Sequence, residues 1–350
     1  MTAFSHPPAD LRLDALKAWL NTLCPALPLD TDSLAPASAD ASFRRYFRLR
    51  CGNTTAVAMD APPSREDCRP FIQVTQLLAA TGTNVPTLLA HDVQQGFLLL
   101  SDLGPTTYYQ AITAGLDDAT LQRIYKDAIA ALVTLQHAQY DSLPAYNSDR
   151  LMTELEVFPE WFVKVHCKAT LTEKEQTMLA GVFRTLVEDA VRQGTVLVHR
   201  DFHSPNLMRC TEASQGPNPG IIDYQDALAG PVTYDIASLV MDARTTWEEP
   251  QQLDWAIRYW EAARKANLPV DPDFADFHRA YEWMSLQRNL RIMGVFARLS
   301  HRDGKHHYLE HMPRVSQYIR QVASRYGVFI PLARLLDRLE NRQVIEGYTF

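Results

Sequence analysis

The hydrophobic pattern changes near residue 105, and this change limits the folds that the chain can adopt. Up to about Leu103 the sequence consists mainly of short apolar runs separated by turn residues, which is typical of β-strands. After Gly104-Pro105 the apolar residues recur at helical spacing, as in residues 121–135. We therefore expect an α+β chain with two lobes, a small β-rich lobe including a hinge over residues 1–103 and a larger, mostly helical lobe over residues 104–350.

The β-rich part contains one predicted helix, placed between two pairs of strands. The helix follows Pro62-Pro63, with Ser64 as its N-cap and Asp67 three residues further on, and buries a face that includes Phe71 and Leu78. The sequence leaves room for a fifth strand before residue 43. The four predicted strands are residues 43–50, 54–59, 85–89 and 97–100.

The composition is that of a globular protein and excludes several functional classes. Of the 350 residues, 46% are hydrophobic and 21% are charged, so the chain can bury a substantial core. The formal net charge of -7 argues against a general nucleic-acid binder. The five cysteines form no CxxC pair, and no apolar run reaches the ~18 residues of a membrane span. With no signal-peptide pattern in residues 1–10, we expect a cytoplasmic protein without nucleic-acid or membrane partners.

The strongest functional signal is the string HRDFHSPN at residues 199–206, which directly follows an apolar run. Its spacing is that of a kinase catalytic loop, His-Arg-Asp-x-x-x-x-Asn. In such a loop Asp201 accepts the proton of a substrate hydroxyl as the hydroxyl attacks a γ-phosphoryl group. Asn206 offers an amide oxygen to Mg²⁺, a cation that prefers oxygen ligands. We expect His199 to support the loop through hydrogen bonds.

A second carboxylate follows another apolar run, in Ile221-Ile222-Asp223. A kinase needs a further magnesium ligand at this point, because the metal bridges two phosphate groups and offsets their charge. The sequence therefore predicts Asn206 and Asp223 as metal ligands. Two later aspartates, Asp226 and Asp235, are interpreted as a turn residue and a helix cap, with Asp235 supporting the catalytic loop.

Together these strings resemble the aminoglycoside phosphotransferase and choline kinase-like family. The segment after the catalytic loop reads Ile-Asp-x-x-Asp-x-x-x-Gly-x-x-x-x-Asp from residue 222 to residue 235. The resemblance implies a protein-kinase-like fold that holds ATP between its lobes, with Asp201 as catalytic base and Asn206 and Asp223 as Mg²⁺ ligands. It also implies that the backbone of Ser101-Asp102-Leu103 is the interlobe hinge and hydrogen-bonds the adenine.

The chain departs from the broad family at the phosphate groups. The family carries a lysine on the third strand, paired with a glutamate on the next helix. Residues 57–60 read VAMD, and the helix body has no glutamate, since Glu66 lies only in its first turn. We expect Arg44 and Arg45 to neutralise the phosphate charge instead. The loop over residues 36–42 contains no glycine, and its serines and backbone amides are predicted to cover the phosphates.

A narrower resemblance comes from residues 41–49, 58–63, 160–162 and 287–305. These segments resemble a bacterial subgroup that phosphorylates N-acetylmuramate and N-acetylglucosamine at the C1 hydroxyl. The resemblance implies a role in peptidoglycan recycling, in which a nucleotidyltransferase converts the sugar 1-phosphate to a UDP-sugar. A sugar pocket should combine an aromatic platform with charged groups, and an arginine suits a lactyl carboxylate. The candidate substrate-binding residues are Glu156, Glu160, Trp161, Arg288 and Arg291, with Arg288 or Arg291 for the carboxylate.

Two other functions remain open at this stage. The first is a related kinase for another hydroxylated molecule, such as an aminoglycoside, choline or another sugar. An acidic acceptor-binding face would suit a cationic aminoglycoside, whereas an arginine suits a carboxylate-bearing sugar. The second is a non-catalytic, pseudokinase-like binding module, which the missing strand lysine favours and the intact Asp201, Asn206 and Asp223 disfavour.

Overall fold

A computed structural model of the chain describes residues 10–37 and 44–341. The chain divides into two compact units, residues 1–106 with 208–225 and residues 107–207 with 226–350. The sequence predicted one boundary between the lobes, after residue 103. In the structure, residues 208–225 also belong to the first unit. The predicted phosphate-covering loop lies largely outside the described residues. No helix in the described ranges is both long enough and apolar enough to cross a membrane.

The first unit is built on an antiparallel sheet with one helix before it and one within it. Its elements are α1 (Leu11–Leu23), β1 (Leu29–Pro36), β2 (Arg45–Cys51), β3 (Thr54–Asp60), α2 (Arg69–Ala79), β4 (Leu88–Asp92), β5 (Phe97–Ser101) and, after the second unit's first segment, β8 (Gly220–Ile221). The strands lie in the order β1-β2-β3-β5-β4. This order confirms the predicted strands, including one before residue 43.

The helix α1 was not predicted, and it completes the core of the first unit. Its residues Leu16, Trp19 and Leu20 are buried in one cluster with apolar side chains of β2, β3 and β5. The side chain of Asp10 caps the helix by accepting a hydrogen bond from the backbone N–H of Leu13. The sheet can therefore bury one face against a helix that precedes it in the chain.

The helix α2 begins four residues later than the sequence suggested, which corrects the prediction of Ser64 as its N-cap. The helix begins at Arg69, with Pro70 in its first turn. Proline is tolerated there because a backbone N–H in the first turn has no partner within the helix. Phe71 and Leu78 are buried as predicted. Glu66 consequently lies before the helix, in a turn whose backbone N–H donates to Pro62.

The second unit is mostly helical, and its regular elements are long. They are α3 (Tyr108–Thr113), α4 (Asp118–Leu135), α5 (Ser148–Leu155), α6 (Glu173–Arg192), β6 (Thr195–Val198), β9 (Leu228–Pro231), α7 (Tyr234–Val240), α8 (Glu249–Lys265), α9 (Phe274–Asp303), α10 (Met312–Arg325) and α11 (Ile330–Leu339). The strand β7 (Leu207–Met208) contains the point where the chain returns to the first unit. The helical periodicity over residues 121–135 correctly predicted α4.

Two irregular features of the second unit position functional residues. Residues Phe158–His166 form a π-helix, a rare geometry that is frequent at functional sites. It packs closely against α9, because a Cβ added at Gly294 would lie 2.4 Å from the carbonyl oxygen of Val157. The strands β6 and β9 pair in antiparallel fashion, and the catalytic string begins directly after Val198, the last residue of β6.

Candidate active site

The start of the catalytic loop is held by a buried carboxylate. His199 and Asp235 are both fully buried. The Asp235 carboxylate accepts hydrogen bonds from the backbone N–H groups of His199 at 2.7 Å and Arg200 at 3.0 Å. Arg200 has a φ of 76°, a left-handed conformation that a non-glycine residue rarely adopts. The loop support expected of Asp235 is thus present, but Asp235 lies in the first turn of a helix whose N-cap is Thr233 and is not the helix cap that the sequence predicted. Asp226 is exposed and lies just before β9.

Two hydrogen bonds inside the loop orient Asp201 and Asn206. The backbone N–H of Asp201 donates to Nδ1 of His199 at 3.2 Å, as expected for a loop-supporting histidine. The side-chain Nδ2 of Asn206 donates to the carbonyl oxygen of Asp201 at 3.0 Å. Because the amide nitrogen is used in this way, the amide oxygen of Asn206 is directed away from the Asp201 backbone.

The surroundings of Asp201 keep its carboxylate ionised. Burial raises the pKa of Asp201, but the charges of His203, Arg291 and Arg288 outweigh burial and lower the pKa to about 2. An ionised carboxylate accepts hydrogen bonds only, so Asp201 can accept the proton of a hydroxyl at neutral pH.

A second buried aspartate, which the sequence analysis missed, supports the end of the loop. Asp242 is fully buried and accepts a hydrogen bond from the Ser204 hydroxyl at 2.5 Å. Burial raises the pKa of Asp242, but its contacts with His203 and Ser204 lower it well below the usual range. Arg244 also lies beside His203, with 3.3 Å between its Nη1 and Nδ1 of the histidine. The signal for this support was the aspartate spaced seven residues after Asp235.

Glu154 on α5 is a further residue that the sequence analysis missed. Its carboxylate accepts hydrogen bonds from Arg200 and from the hydroxyl of Tyr146. Nε of Arg291 lies 3.3 Å from the same carboxylate. Glu154 thus joins the catalytic loop to α9 through two arginines. No sequence pattern marked it, because its partners are 46 and 137 residues further along the chain.

The predicted sugar-binding residues lie on α9, the π-helix and the end of α5. Arg288 is 2% exposed, and within residues 10–37 and 44–341 its Nε and Nη1 have no hydrogen-bond partner. Arg288 and Arg291 are both electrostatic neighbours of Asp201. Glu156 and Glu160 are exposed, and Trp161 is half-buried. The second unit therefore brings the two arginines to Asp201, while the acidic candidates face solvent.

In the first unit, Arg44 and Asp223 lie close together. Nη1 of Arg44 is 3.6 Å from Oδ1 of Asp223, and Nε of Arg44 forms an ion pair with Glu66. The Arg44 side chain is 14% exposed. Asp223 has a φ of 65°, a strained value of the kind found at functional sites. The sequence analysis named Arg44 but not its pairing with Glu66, because Glu66 was assigned to the helix rather than to the preceding turn.

Arg45, the other predicted phosphate ligand, has different partners. It pairs with Asp10 and with the fully buried Asp60 on the neighbouring strand. Arg12 pairs with the same Asp60 carboxylate. These contacts make Arg45 a link between the N-terminal helix and the sheet, so Arg44 and not Arg45 lies beside Asp223.

The predicted hinge segment Ser101-Asp102-Leu103 follows β5, and its side chains are fixed. The Asp102 carboxylate accepts hydrogen bonds from Arg48 and from the hydroxyl of Thr55. Burial raises the pKa of Asp102, but these two bonds lower it more. The backbone N–H of Ser101 donates to the carbonyl oxygen of Thr87 at 2.9 Å. Leu103 packs in an apolar cluster with Met208, Cys210 and Ile222.

The chemistry of Asn206 and Asp223 fits a magnesium ion. Both supply oxygen donors, one amide and one exposed carboxylate. Within the described ranges no group of three or more His, Cys, Asp or Glu side chains gathers at one point. Mg²⁺ in kinases is typically bound by one or two protein side chains together with substrate phosphates and water, so a sparse donor set is in keeping with that ion.

The fold and the catalytic loop define a phosphotransferase, and comparison with known proteins gives the family. A model of the phosphotransferase enzyme family (APH) matches residues 33–283, and the chain belongs to this family. It is an enzyme that transfers phosphate to a hydroxyl group. As the sequence predicted, its fold is protein-kinase-like, with a β-rich first unit and a helical second unit.

Relatives that match over almost the whole chain share one name. The N-acetylmuramate/N-acetylglucosamine kinase of Pseudomonas putida is 42% identical over 342 residues, covering 95% of this chain and 98% of that protein. The kinase of the same name from Neisseria meningitidis is 41% identical over 338 residues, covering 96% and 98%. The solved GDP complex of aminoglycoside 2'-phosphotransferase-IIIa is similar in fold, with a TM-score of 0.59, 16% identity, and coverage of 89% of this chain and 99% of that one.

Proposed function

We propose that this enzyme transfers the γ-phosphoryl group of Mg-ATP to the anomeric C1 hydroxyl of N-acetylmuramate and N-acetylglucosamine. The names of the relatives, which match over almost the whole chain, support the sugar class. The product is a sugar 1-phosphate, a substrate for a nucleotidyltransferase that forms a UDP-sugar in cell-wall recycling. We place this reaction in the cytoplasm, where ATP is available.

The observation that carries the proposal is the environment of Asp201. The carboxylate lies in the catalytic loop, remains ionised at neutral pH and has two arginines among its neighbours. Asp201 would align the C1 hydroxyl by accepting its hydrogen bond and take its proton as the oxygen attacks the phosphorus atom. Positioning and charge neutralisation supply most of the catalysis in phosphoryl transfer. A weakly basic but well-placed carboxylate suits that requirement.

We assign the magnesium ion of Mg-ATP to the amide oxygen of Asn206 and the carboxylate of Asp223. When bound, the ion would neutralise charge on the phosphate oxygens. The hydrogen bond from Asn206 to the Asp201 carbonyl fixes the orientation of its amide. Asp235 and His199 hold the loop on which both residues lie.

Arg44 takes the part that the strand lysine has in the wider family. It stands beside Asp223, and Glu66 holds it in place as the family's glutamate holds the lysine. A guanidinium offers up to five N–H donors in a planar fork, which suits phosphate oxygens. The backbone of Ser101-Asp102-Leu103 would hydrogen-bond the adenine, and the apolar cluster around Leu103 would cover its face.

The acceptor side is positively charged at Asp201, which favours the amino sugars over a cationic aminoglycoside or choline. Arg288 and Arg291 would repel a cation and attract either the transferring phosphoryl group or an anionic substituent. Glu156, Glu160 and Trp161, at the end of α5 and on the π-helix, are the candidates for contacts with sugar hydroxyls and with the apolar face of the ring.

The test is an ATP-consumption assay across a panel of acceptors, with phosphorus NMR of the product. We expect Mg²⁺-dependent turnover with N-acetylmuramate and N-acetylglucosamine, and a resonance coupled to the anomeric proton. Turnover only with an aminoglycoside, choline or another sugar would replace the proposed acceptor. Nucleotide binding without turnover on any acceptor would instead indicate a binding module.

A further inference from the structure

Three arginines lie along one face of α9. Arg288, Arg291 and Arg298 are separated by three and seven residues, so at 100° per residue their side chains leave the helix within an arc of about 80°. With a rise of 1.5 Å per residue, Arg298 lies about 10 Å beyond Arg291 along the helix. The three positions therefore form a row of positive charge rather than a single cluster.

The two ends of this row face different surroundings. Arg288 and Arg291 are electrostatic neighbours of Asp201. The charged groups that act most on Arg298 are Arg302, Arg291, Asp303 and Glu160. The row thus begins at the catalytic aspartate and ends beside the π-helix.

Arg298 has a donor with no acceptor among the residues that the structure describes. The side chain is half-buried, and its Nε is buried without a hydrogen-bond partner in that part of the chain. Burial and the positive charges of Arg302 and Arg291 lower the pKa of Arg298. The neighbouring Arg302 is exposed and pairs with Asp303. A buried guanidinium donor without an acceptor is unfavourable, and an anionic ligand would remove that penalty.

The wall beside Arg298 is rigid and carries candidate sugar contacts. Gly294, one helical turn before Arg298, has no side chain, and the π-helix begins against it. This close packing fixes Glu160 and Trp161 relative to α9. Glu160, on the same π-helix, is among the charged groups that act on Arg298, so Arg298 lies near one of the candidate sugar contacts.

We propose that Arg298 is a specificity-determining residue that binds the carboxylate of a carboxylate-bearing amino sugar such as N-acetylmuramate. The inference rests on the proposed function. In N-acetylmuramate the lactyl ether is on C3, two ring carbons from C1, and extends away from the ring. With C1 at Asp201, recognition of the carboxylate needs an arginine set back from Asp201, and Arg298 is so placed. Arg288 and Arg291 then serve the transferring phosphoryl group.

The experiment compares three substrates that differ only in the substituent on the C3 oxygen. Steady-state kinetics are measured for the wild type, Arg298→Gln and Arg298→Lys with N-acetylmuramate, its uncharged carboxamide and N-acetylglucosamine. In Arg298→Gln we expect KM for N-acetylmuramate to rise roughly 10- to 100-fold, as for loss of one charged hydrogen bond. KM for N-acetylglucosamine should change less than about twofold, and the carboxamide should no longer be distinguished from the acid. Arg298→Lys should be intermediate, because lysine keeps the charge without the planar fork.

Retained activity on N-acetylglucosamine shows that the variant is folded. The control variant Arg302→Gln, on the same helix, should leave KM for both sugars unchanged. Equal losses on both sugars, or an unchanged KM for N-acetylmuramate, would overturn this inference and leave the proposed function intact. A wild-type enzyme that phosphorylates neither sugar would contradict the proposed function and the inference with it.

Discussion

The catalytic loop and the start of β2 hold their charged groups in different ways. In the loop, carboxylates and rings bind backbone atoms, as Asp235 does for two N–H groups and His199 for the N–H of Asp201. Directly before β2, Arg44 pairs with the side chains of Glu66 and Asp223. The comparison teaches that a charge can be supplied by a different segment of the chain where side chains hold it, but not where the backbone is part of the device.

This difference accounts for what the chain keeps and what it replaces. A loop whose backbone is bound by Asp235 and His199 needs those residue types at those spacings, since a shifted carboxylate would no longer meet the same N–H groups. A phosphate ligand needs only a cation of sufficient reach and a partner that fixes it. An arginine directly before β2, with a glutamate before α2, meets that need without the lysine and glutamate of the wider family.

The largest effect is expected at Asp201. Asp201→Asn removes the proton acceptor and leaves the side-chain volume almost unchanged, so we expect kcat to fall about 10²- to 10⁴-fold. ATP affinity and the thermal midpoint should change far less. The measurements are kcat by coupled ATP assay and Kd for ATP by calorimetry. The matched control is Asp254→Asn, which breaks a surface ion pair with Arg258 on α8. Wild-type turnover by Asp201→Asn would refute the assignment.

The next prediction tests whether the ion pairs of Glu154 beside the catalytic loop stabilise the fold. Glu154→Gln leaves Arg200 and Arg291 without their shared carboxylate in a poorly exposed region, which typically costs about 3 kcal/mol of unfolding free energy. Chemical denaturation measures the loss. The control is Glu188→Gln, which breaks an exposed pair with Arg192 and should cost about 0.5 kcal/mol at most. Equal costs for the two variants would mean that the Glu154 network is no more stabilising than a surface pair.

Arg44 is expected to matter less than Asp201 and mainly for the nucleotide. Arg44→Gln should lower kcat/KM for ATP about 10- to 100-fold, the size of a lost charged hydrogen bond to phosphate. Arg44→Lys should recover part of the loss, because a cation is needed and the fork is secondary. Arg69→Gln, at an exposed surface pair, is the control.

The pairing with Glu66 makes a second test of the same site. In a double-mutant cycle, Glu66→Gln should have little further effect once Arg44 is replaced, because Glu66 acts through Arg44. Additive losses would show that Glu66 has another role. Loss of N-acetylglucosamine affinity without loss of ATP affinity would place Arg44 on the acceptor side and break the comparison with the catalytic loop.

The sequence predicted the parts of this molecule that depend on local spacing. Strand and helix periodicity predicted four of the five strands and α4, because burial of one face imposes a fixed period, although β4 lies three residues later than predicted. The string at residues 199–206 predicted a loop supported by hydrogen bonds of His199, and the N–H of Asp201 donates to the His199 ring. These features require only neighbours within about ten residues.

The parts that were missed depend on residues far apart in the chain. Glu154 meets Arg200 and Arg291, and Arg12 meets Asp60, through the packing of whole elements. Nothing in a local window records such a pairing. The pairing of Arg45 with Asp10 and Asp60 was missed for the same reason. Ser64 failed because Pro70, rather than a capping side chain, sets the start of α2.

The last effect concerns pH and the carboxylate that holds the loop. Burial raises the pKa of Asp235 to about 7, against its two backbone N–H donors. In the unfolded chain the pKa is near 3.9, so between about pH 4 and 7 the folded state binds one more proton than the unfolded state. Asp235 therefore contributes stability that is complete below pH ~3.9 and is lost as pH rises through about 7, with a slope of up to about 1.4 kcal/mol per pH unit.

Asp235→Asn should remove that slope while lowering stability at every pH, because an amide can offer only one acceptor atom to the two N–H groups. The measurement is the unfolding free energy by denaturant at pH 5, 6, 7 and 8, taken as the difference between wild type and variant. A difference that shrinks as pH rises supports a carboxyl that is protonated in the acidic range. A constant difference would mean that the two N–H donors keep Asp235 ionised throughout. In that case the backbone-held carboxylate would behave like the side-chain pairs around Arg44, and only geometry would distinguish the two regions.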